Sequence, residues 1–484
     1  MSYTAAVDHL YALGHELAPV APNAPPRKFD LAHMRVLAAA LGDLQTTFPA
    51  VLIAGTNGKG STAATLASIL TAAGYRTGLY TSPHLFRVNE RIQIDGVQIP
   101  DEDFAHLYFQ VDETARHLVE SGDLPHPPSF FEVLTALAFL YFAGKGSDEA
   151  EPVDIAILEV GLGGRLDATN IVDPLLSVIT DIALDHQEYL GNTIAEITRE
   201  KAGILRPNGT LITLPQHPEA NQAIGEAAAN LNLRAISAAS FIPHLPPRPS
   251  KASSADEPLV ESSLPRNHYA VILNGEPLEI DSPLSGHHQQ RNIALAIAAA
   301  NELRNLNGYN LAKTGTTRNY AGYKITNSAI ETGIRNTQWP GRLELIKFPE
   351  SPSLLLDVAH NPAGAWTLRA AIADLPEAQP RTLLFSCLRD KNLKEMSQIL
   401  FPLFDSSADR PYDHILFAPI DNPRAAGLED LLAAARALDI PAYAAPDLAA
   451  ALAQARELTP PNGLILATGS VYLVGEIRHL AVQG

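Results

Sequence analysis

Cysteine is nearly absent: Cys387 is the only one in 484 residues, so the chain can close no internal disulfide and build no cysteine-rich zinc cluster. That usage fits a reducing cytoplasm, which is the expected compartment. Basic residues are also scarce, with 35 Lys and Arg against 53 Asp and Glu and a net charge of −18. Phosphate backbones demand a basic footprint, so nucleic acid is not an expected partner. Long apolar runs are missing too. The longest, Val133–Ala143, falls short of the ~20 residues a membrane span needs, and no membrane partner is expected. The first residues, MSYTAAVDHLYALGHEL, lack the basic start and apolar stretch of a signal peptide. What is present is ordinary for a globular protein, 46% hydrophobic and 18% charged residues, over a length that predicts two domains.

Short apolar strands alternate with helical stretches through the first two-thirds of the chain. Val51–Ala54, Ile155–Leu158, Leu176–Thr180 and Leu211–Leu214 read as buried strands, and the alternation predicts a parallel sheet covered on both faces. After Val51–Ala54 a glycine loop opens a helix in which Leu66, Ile69, Leu70 and Ala73 share a face and Gly74 makes the stop. Ser129–Glu132 and Thr193–Glu196 are capping boxes that open two further helices, the first running through Phe142. Phe241–Pro265, rich in proline and serine, reads as an exposed insertion, and Asn305–Tyr323 reads as equally loose. Beyond Trp339-Pro340-Gly341 a second α/β pattern begins, with strands at Leu354–Val358, Thr382–Ser386, Ile415–Ala418 and Leu464–Ala467. The expected domains are therefore 1–338 and 339–484.

The strongest chemical signal is Gly55-Thr56-Asn57-Gly58-Lys59-Gly60-Ser61-Thr62 between a strand and a helix. Such a turn aims successive backbone N–H groups and a helix N-terminus at one spot, where phosphate binds. Lys59 adds a charge for the β and γ phosphates, and Ser61 or Thr62 can reach phosphate or its Mg2+. The spacing departs from the common P-loop, because Lys59 is followed by glycine. Ser82, Glu159 and His186 follow or end strands, and in an open parallel sheet ligands gather at such ends. Singly they read as a turn cap, a polar strand end and a loop residue. Together, a hydroxyl, a carboxylate and an imidazole can hold a divalent metal.

Lys201 shares a helix face with Ile194 and Ile197, and by periodicity alone it is expected to snorkel. If buried instead, its amine would lose its proton readily and could form a carbamate with CO2. The run from Gly161 to Asn170, with Arg165 and Asp167, reads as a loop closing on a polar ligand. Asp357 and His360 end a strand of the second half, where Asn361 and Pro362 make an N-cap and first-turn pair.

In order, the chain carries GTNGKGS, TSPHL with NERI, LEVGLGGRLDATN, TDIALDH, REKAGI, HHQQRN, WPGRLE and DVAHNP. This series resembles the folylpolyglutamate synthase/dihydrofolate synthase family of the Mur-ligase superfamily, from about Val51 to the closing Gly469–Gly475. The resemblance implies an α/β protein: a P-loop, parallel-sheet N-terminal ATPase domain and a smaller Rossmann-like α/β C-terminal domain, with the active site in a cleft between them. It implies that Gly55–Thr62 cradle the triphosphate, with Asn292, Arg342 and Asp357 also serving ATP. It further implies that Ser61, Ser82, Glu159, His186 and a carbamylated Lys201 serve Mg2+, reversing the snorkelling expectation. Lys59, Lys201, Arg342, Asp357 and His360 become the catalytic set, and Phe131, Asp167, Arg165 and Pro83 the pterin or folate contacts. His287-His288 doubles a histidine that is single in the family pattern.

The implied reaction uses ATP to join L-glutamate to dihydropteroate or to a reduced folate through an acyl phosphate. These small molecules are the expected partners, and the chain is expected to act as a monomer. A cell-wall Mur ligase would share the loop and the lysine, yet those enzymes carry an extra domain for a UDP sugar, and only about 50 residues precede the P-loop here. A nucleotide switch would not need Asp357 and His360.

Overall fold

The computed structural model describes residues 2–14, 31–146, 151–243, 264–310, 319–376, 379–406 and 412–483. These fall into two compact units, one of Met1–Ile242, Ala270–Ile280 and Arg291–Thr337, the other of Pro243–Tyr269, Asp281–Gln290 and Gln338–Gly484.

The first unit is built on eight strands: β1 (Ala50–Ala54), β2 (Thr77–Tyr80), β3 (Ile92–Ile94), β4 (Val97–Gln98), β5 (Ile155–Glu159), β6 (Leu176–Ile179), β7 (Thr210–Thr213) and β8 (Arg234–Ser237). They lie in the order β4-β3-β2-β5-β1-β6-β7-β8. Pairing is parallel from β2 through β8, and only the β2–β3–β4 edge is antiparallel. β1 and β5 are buried along their whole length, as their unbroken apolar runs predict for strands covered on both faces. The register sets Ile53 beside Glu159 and Ala54 beside Ile179, so the carboxyl ends of β5, β1 and β6 line up at the glycine loop.

Both capping boxes form. Ser129 accepts from Glu132 N at the head of Phe130–Phe142, and Thr193 accepts from Glu196 N at the head of Ile194–Ala202. The apolar face of Phe130–Phe142 enters the core with Leu134, Leu137 and Phe142, each worth about 1.5–3 kcal/mol of burial. Against the P-loop helix, Lys59–Ala72, packs the helix Asn327–Asn336. The approach is backbone to backbone: a Cβ on Gly333 would overlap Ile69 Cα, and Ser68 donates to the Gly333 carbonyl at 2.7 Å.

In sequence, β9 (Asn267–Leu273) and β10 (Glu276–Ser282) pair as a two-stranded sheet. So do β11 (Asn307–Asn310) and β12 (Asn319–Ala321). This corrects the expectation that Asn305–Tyr323 is loose: its flanks pair antiparallel, and Tyr323 is buried with its ring 4.9 Å from that of Tyr75. An aromatic anchor at the end of a polar stretch outweighed the stretch's composition. The core of that stretch, 311–318, and most of the Phe241–Pro265 insertion, 244–263, lie outside the described residues.

The second unit carries β13 (Glu344–Phe348), β14 (Ser351–Leu356), β15 (Arg381–Phe385), β16 (His414–Phe417), β17 (Tyr443–Ala444) and β18 (Leu464–Thr468) in the order β13-β14-β18-β15-β16-β17. Only β13 runs antiparallel to its neighbour. A separate core of Leu383, Phe385, Phe401, Phe417 and Leu466 holds this sheet to its helices. The molecule is thus α/β in both parts, as expected. Among the described residues no helix is long and apolar enough to cross a membrane.

Candidate active site

Gly55 and Gly58 set the loop's shape. Gly58 lies at φ +87° as N-cap of Lys59–Ala72, and a Cβ there would strike the Asn292 side-chain amide. Gly55 lies against the Thr180 hydroxyl, which leaves no room for a side chain. Thr56 N and Asn57 N donate to the Asp181 carbonyl at 2.9 and 3.1 Å, anchoring the loop to the segment after β6. The first intrahelical bond is Thr62 N to Gly58 O at 2.9 Å, which leaves the N–H groups from Gly58 to Ser61 at the helix N-terminus, an arrangement suited to an anion. The Thr62 hydroxyl is buried and meets no hydrogen-bond partner among the described residues, a group suited to a phosphate oxygen.

Around this loop stand three charged side chains. Lys59 Nζ donates to Thr56 O at 3.1 Å and lies 4.0 Å from the buried Glu159 carboxylate. Glu159 also accepts from the backbone N–H of Ser82 at 3.1 Å, which ties the end of β5 to the turn after β2. Lys201 donates from Nζ to the Gly55 carbonyl at 2.7 Å, and the residue is only 5% exposed. The snorkelling expectation is overturned: the ammonium points into the loop rather than out to water. Burial first, and the charge of Lys59 second, bring its pKa down to about 7, against the opposing pull of Asp185 and Asp167. His186 sits beyond β6 at φ +50° with its ring 3.9 Å from the Asp185 carboxylate.

The donor set fits Mg2+ of the hard, oxygen-seeking kind. Ser61, Ser82 and Glu159 offer oxygen, while among the described residues no cluster of three or more His, Cys, Asp or Glu could hold a metal alone.

The glycine loop after β5 is organised by Asp167. One carboxylate oxygen accepts from Gly161 N and Leu162 N, both at 3.0 Å, and the other from Thr169 N and the Thr169 hydroxyl. Burial still raises its pKa, against these four bonds. The expected pterin contact therefore has its oxygens engaged in shaping the loop. Arg165 forks onto the Glu200 carboxylate. Phe131 lies with its ring against Gly161, where a Cβ would come within 2.6 Å, and 5.9 Å from the ring of Tyr80. Pro83, preceded by a cis peptide bond, is exposed.

In the second unit, Asp357 is buried and accepts from Leu343 N at 3.0 Å and Ala359 N at 2.9 Å, with its pKa raised by burial against the charges of Arg342 and His360. His360 donates from Nδ1 to the Val358 carbonyl at 2.8 Å, so in its neutral form Nε2 is the acceptor. Arg342 donates to Gly341 O at 3.2 Å. Asn361 accepts from Gly364 N as the N-cap its sequence predicts.

Two domain families match this chain, the Mur ligase middle domain over residues 145–300 and the Mur ligase glutamate ligase domain over residues 341–471. The dihydrofolate synthase/folylpolyglutamate synthase of Bacillus subtilis is 36% identical over 452 residues, 93% of this chain and 94% of its own length. The chain belongs to the folylpolyglutamate synthase/dihydrofolate synthase family. The folylpolyglutamate synthase of Lacticaseibacillus casei is 32% identical over 93% of this chain and 95% of its own length. Folylpolyglutamate synthase of Mycobacterium tuberculosis, solved with ADP and AMPPCP, superposes with a TM-score of 0.78 at 29% identity over 99% of this chain and 98% of that one. Escherichia coli FolC, solved with DHPP and ADP, superposes with a TM-score of 0.74 at 28% identity over 100% of this chain and 98% of that one.

The family resemblance drawn from the motif order is therefore correct. Sequence reasoning passed over two groups in this family member. Asp181 and Arg291 form a forked pair beside the loop, and His84 accepts from the buried Arg91 at 2.7 Å within TSPHL and NERI. The signal was present in each case, a charged residue inside one of the ordered motifs, but only its neighbours carried a familiar chemistry.

Proposed function

We propose that this protein is an ATP-dependent ligase that adds L-glutamate to dihydropteroate, giving dihydrofolate, and to the γ-carboxylate of reduced folates, giving folylpolyglutamates. Kinship with dihydrofolate synthase/folylpolyglutamate synthase over 93% of the chain carries this reading. The buried Lys201 amine and the Lys59–Glu159 pair around one phosphate-type loop support it. The acceptor carboxylate attacks the ATP γ-phosphate, forming an acyl phosphate and releasing ADP. The glutamate α-amine then attacks the acyl carbon, loses a proton, and expels inorganic phosphate to leave the amide.

Residues 1–338 are the ATPase domain in this reading and 339–484 the glutamate-ligase domain. Gly55–Thr62 cradle the triphosphate, and Lys59 offsets negative charge as the γ-phosphate transfers. Ser61, Ser82, Glu159, His186 and carbamylated Lys201 would hold Mg2+, which when bound screens the phosphate charges. Arg342, Asp357 and His360 are the second domain's catalytic residues, with Asn292, Arg342 and Asp357 serving the nucleotide. Phe131, Arg165, Pro83 and the loop fixed by Asp167 receive the pterin. The protein works in the cytoplasm as a monomer.

Purified protein assayed with ATP, glutamate and either dihydropteroate or tetrahydrofolate should form both glutamylated products, with phosphate release dependent on all three substrates. Phosphate release indifferent to glutamate and folate would sink the ligase reading. Turnover of tetrahydrofolate with none of dihydropteroate would leave a ligase that is not bifunctional.

A further inference from the structure

Asp181 is the second residue beyond β6, and it reaches the phosphate loop through its backbone and the helix His287–Arg304 through its side chain. Its carbonyl takes the N–H groups of Thr56 and Asn57. Its carboxylate takes a fork from Arg291, Nε to Oδ2 at 2.8 Å and Nη2 to Oδ1 at 2.5 Å, and Nη2 also donates to the Pro215 carbonyl at 3.0 Å. Neighbouring atoms fasten the same segment: Ile182 N donates to the Gln216 side chain at 2.7 Å, and Ala183 N to the Thr56 hydroxyl at 3.1 Å. Directly after Arg291 comes Asn292, whose side chain fills the space a Cβ on Gly58 would need. One turn of helix thus meets the loop twice, by contact at Gly58 and through Asp181 at Thr56 and Asn57.

We propose that Arg291 is a positioning residue for nucleotide binding, one that sets the orientation of Asp181 and through its carbonyl the pose of the phosphate loop. A guanidinium fork on a carboxylate fixes angle as well as distance, which an ammonium cannot do. With Thr56 and Asn57 turned toward Asp181, the amides of Gly58 to Ser61 are the ones left for phosphate. Moving Asp181 therefore moves the frame in which those four amides converge. The pair is partly exposed, 29% and 38% at the two side chains, so its share in overall stability is small. Its effect belongs in ligand affinity.

This inference rests on the ATP-ligase reading, and ADP binding to the parent protein tests that reading separately. Calorimetric titration with ADP and steady-state kinetics with ATP are to be run on the parent, Arg291→Ala, Arg291→Lys, Asp181→Asn, Asp181→Ala and the double alanine variant. In Arg291→Ala and Asp181→Ala, ADP affinity should fall and the ATP KM rise about tenfold or more, with kcat within about threefold, the glutamate KM unchanged and the unliganded melting temperature nearly so. The double variant should be no worse than the weaker single, since both remove one interaction. Arg291→Lys should remain impaired, and Asp181→Asn, which keeps the shape, guards against misfolding in the alanine variants. Losses that add in the double variant, parent-like ADP binding in Arg291→Lys, or a fall confined to kcat would each overturn the positioning role. A parent that fails to bind ADP would instead overturn the ATP-ligase reading.

Discussion

An amine withdrawn from water beside another cation loses much of its hold on a proton, and Lys201 shows the consequence, with a pKa near 7 where an exposed lysine stays charged. The sign of the resulting pH dependence follows directly. Below about pH 7 the amine keeps its proton and resists CO2; above it the neutral amine is the larger fraction and can take up CO2 as a carbamate, releasing a proton. At fixed dissolved CO2, ligation should therefore rise as pH passes upward through about 7, and a pH–rate profile flat across that range would count against the carbamate. Lys201→Ala should abolish ligation while leaving ADP binding largely intact, and short carboxylic acids should restore part of the rate. Full activity in that variant would return Lys201 to a structural role. The hydrogen bond that Lys201 donates to the Gly55 carbonyl at 2.7 Å would then be its whole function.

Helix-on-helix contact at the P-loop depends on a missing side chain. Gly333 lets the backbone of Asn327–Asn336 lie on that of Lys59–Ala72 at Ile69. Alanine is the better helix former by about 1 kcal/mol, yet its methyl would overlap a Cα that no rotamer change can move. Gly333→Ala should lose a net ~1–3 kcal/mol, read as a lower midpoint in urea unfolding, and a neutral or stabilised variant would show that the helices can part freely. This contact was not legible in the sequence, because a glycine inside a helical pattern does not say what lies against it. Elements specified by local chemistry were legible. The capping boxes at Ser129 and Thr193, the buried runs of β1 and β5, and the Asn361 cap each follow from side chains within four residues of one another. β13 and β17 were missed, the first half-exposed and the second two residues long on the sheet edge, where neither periodicity nor length gives a signal. The same limit governed the site. Lys59 and Glu159 announced themselves at a loop and a strand end, whereas the depth of Lys201 depended on how its helix docks, and periodicity fixes only the face.

At the scale of the whole molecule, a chain with net charge −18 has to receive ATP, an acidic amino acid and a carboxylate-bearing acceptor. Near the loop, Lys59 and the helix N-terminus offer an anion local attraction. Farther out the excess of acidic residues dominates, so an approaching anion meets repulsion before attraction. Salt acts on these two regimes unequally. At about 0.01 M the screening length is ~30 Å and the whole molecule's charge is felt; at about 0.1 M it is ~10 Å, and only the neighbourhood of the loop remains. Raising KCl across that range should therefore raise kcat/KM for ATP by weakening the long-range repulsion more than the contacts around the loop. Stopped-flow association of a fluorescent ADP analogue over the same range isolates the encounter step and should show a rising rate constant. A rate constant that falls with salt would mean that Lys59 and the helix N-terminus steer the nucleotide from well beyond contact, despite the acidic balance of the rest of the chain.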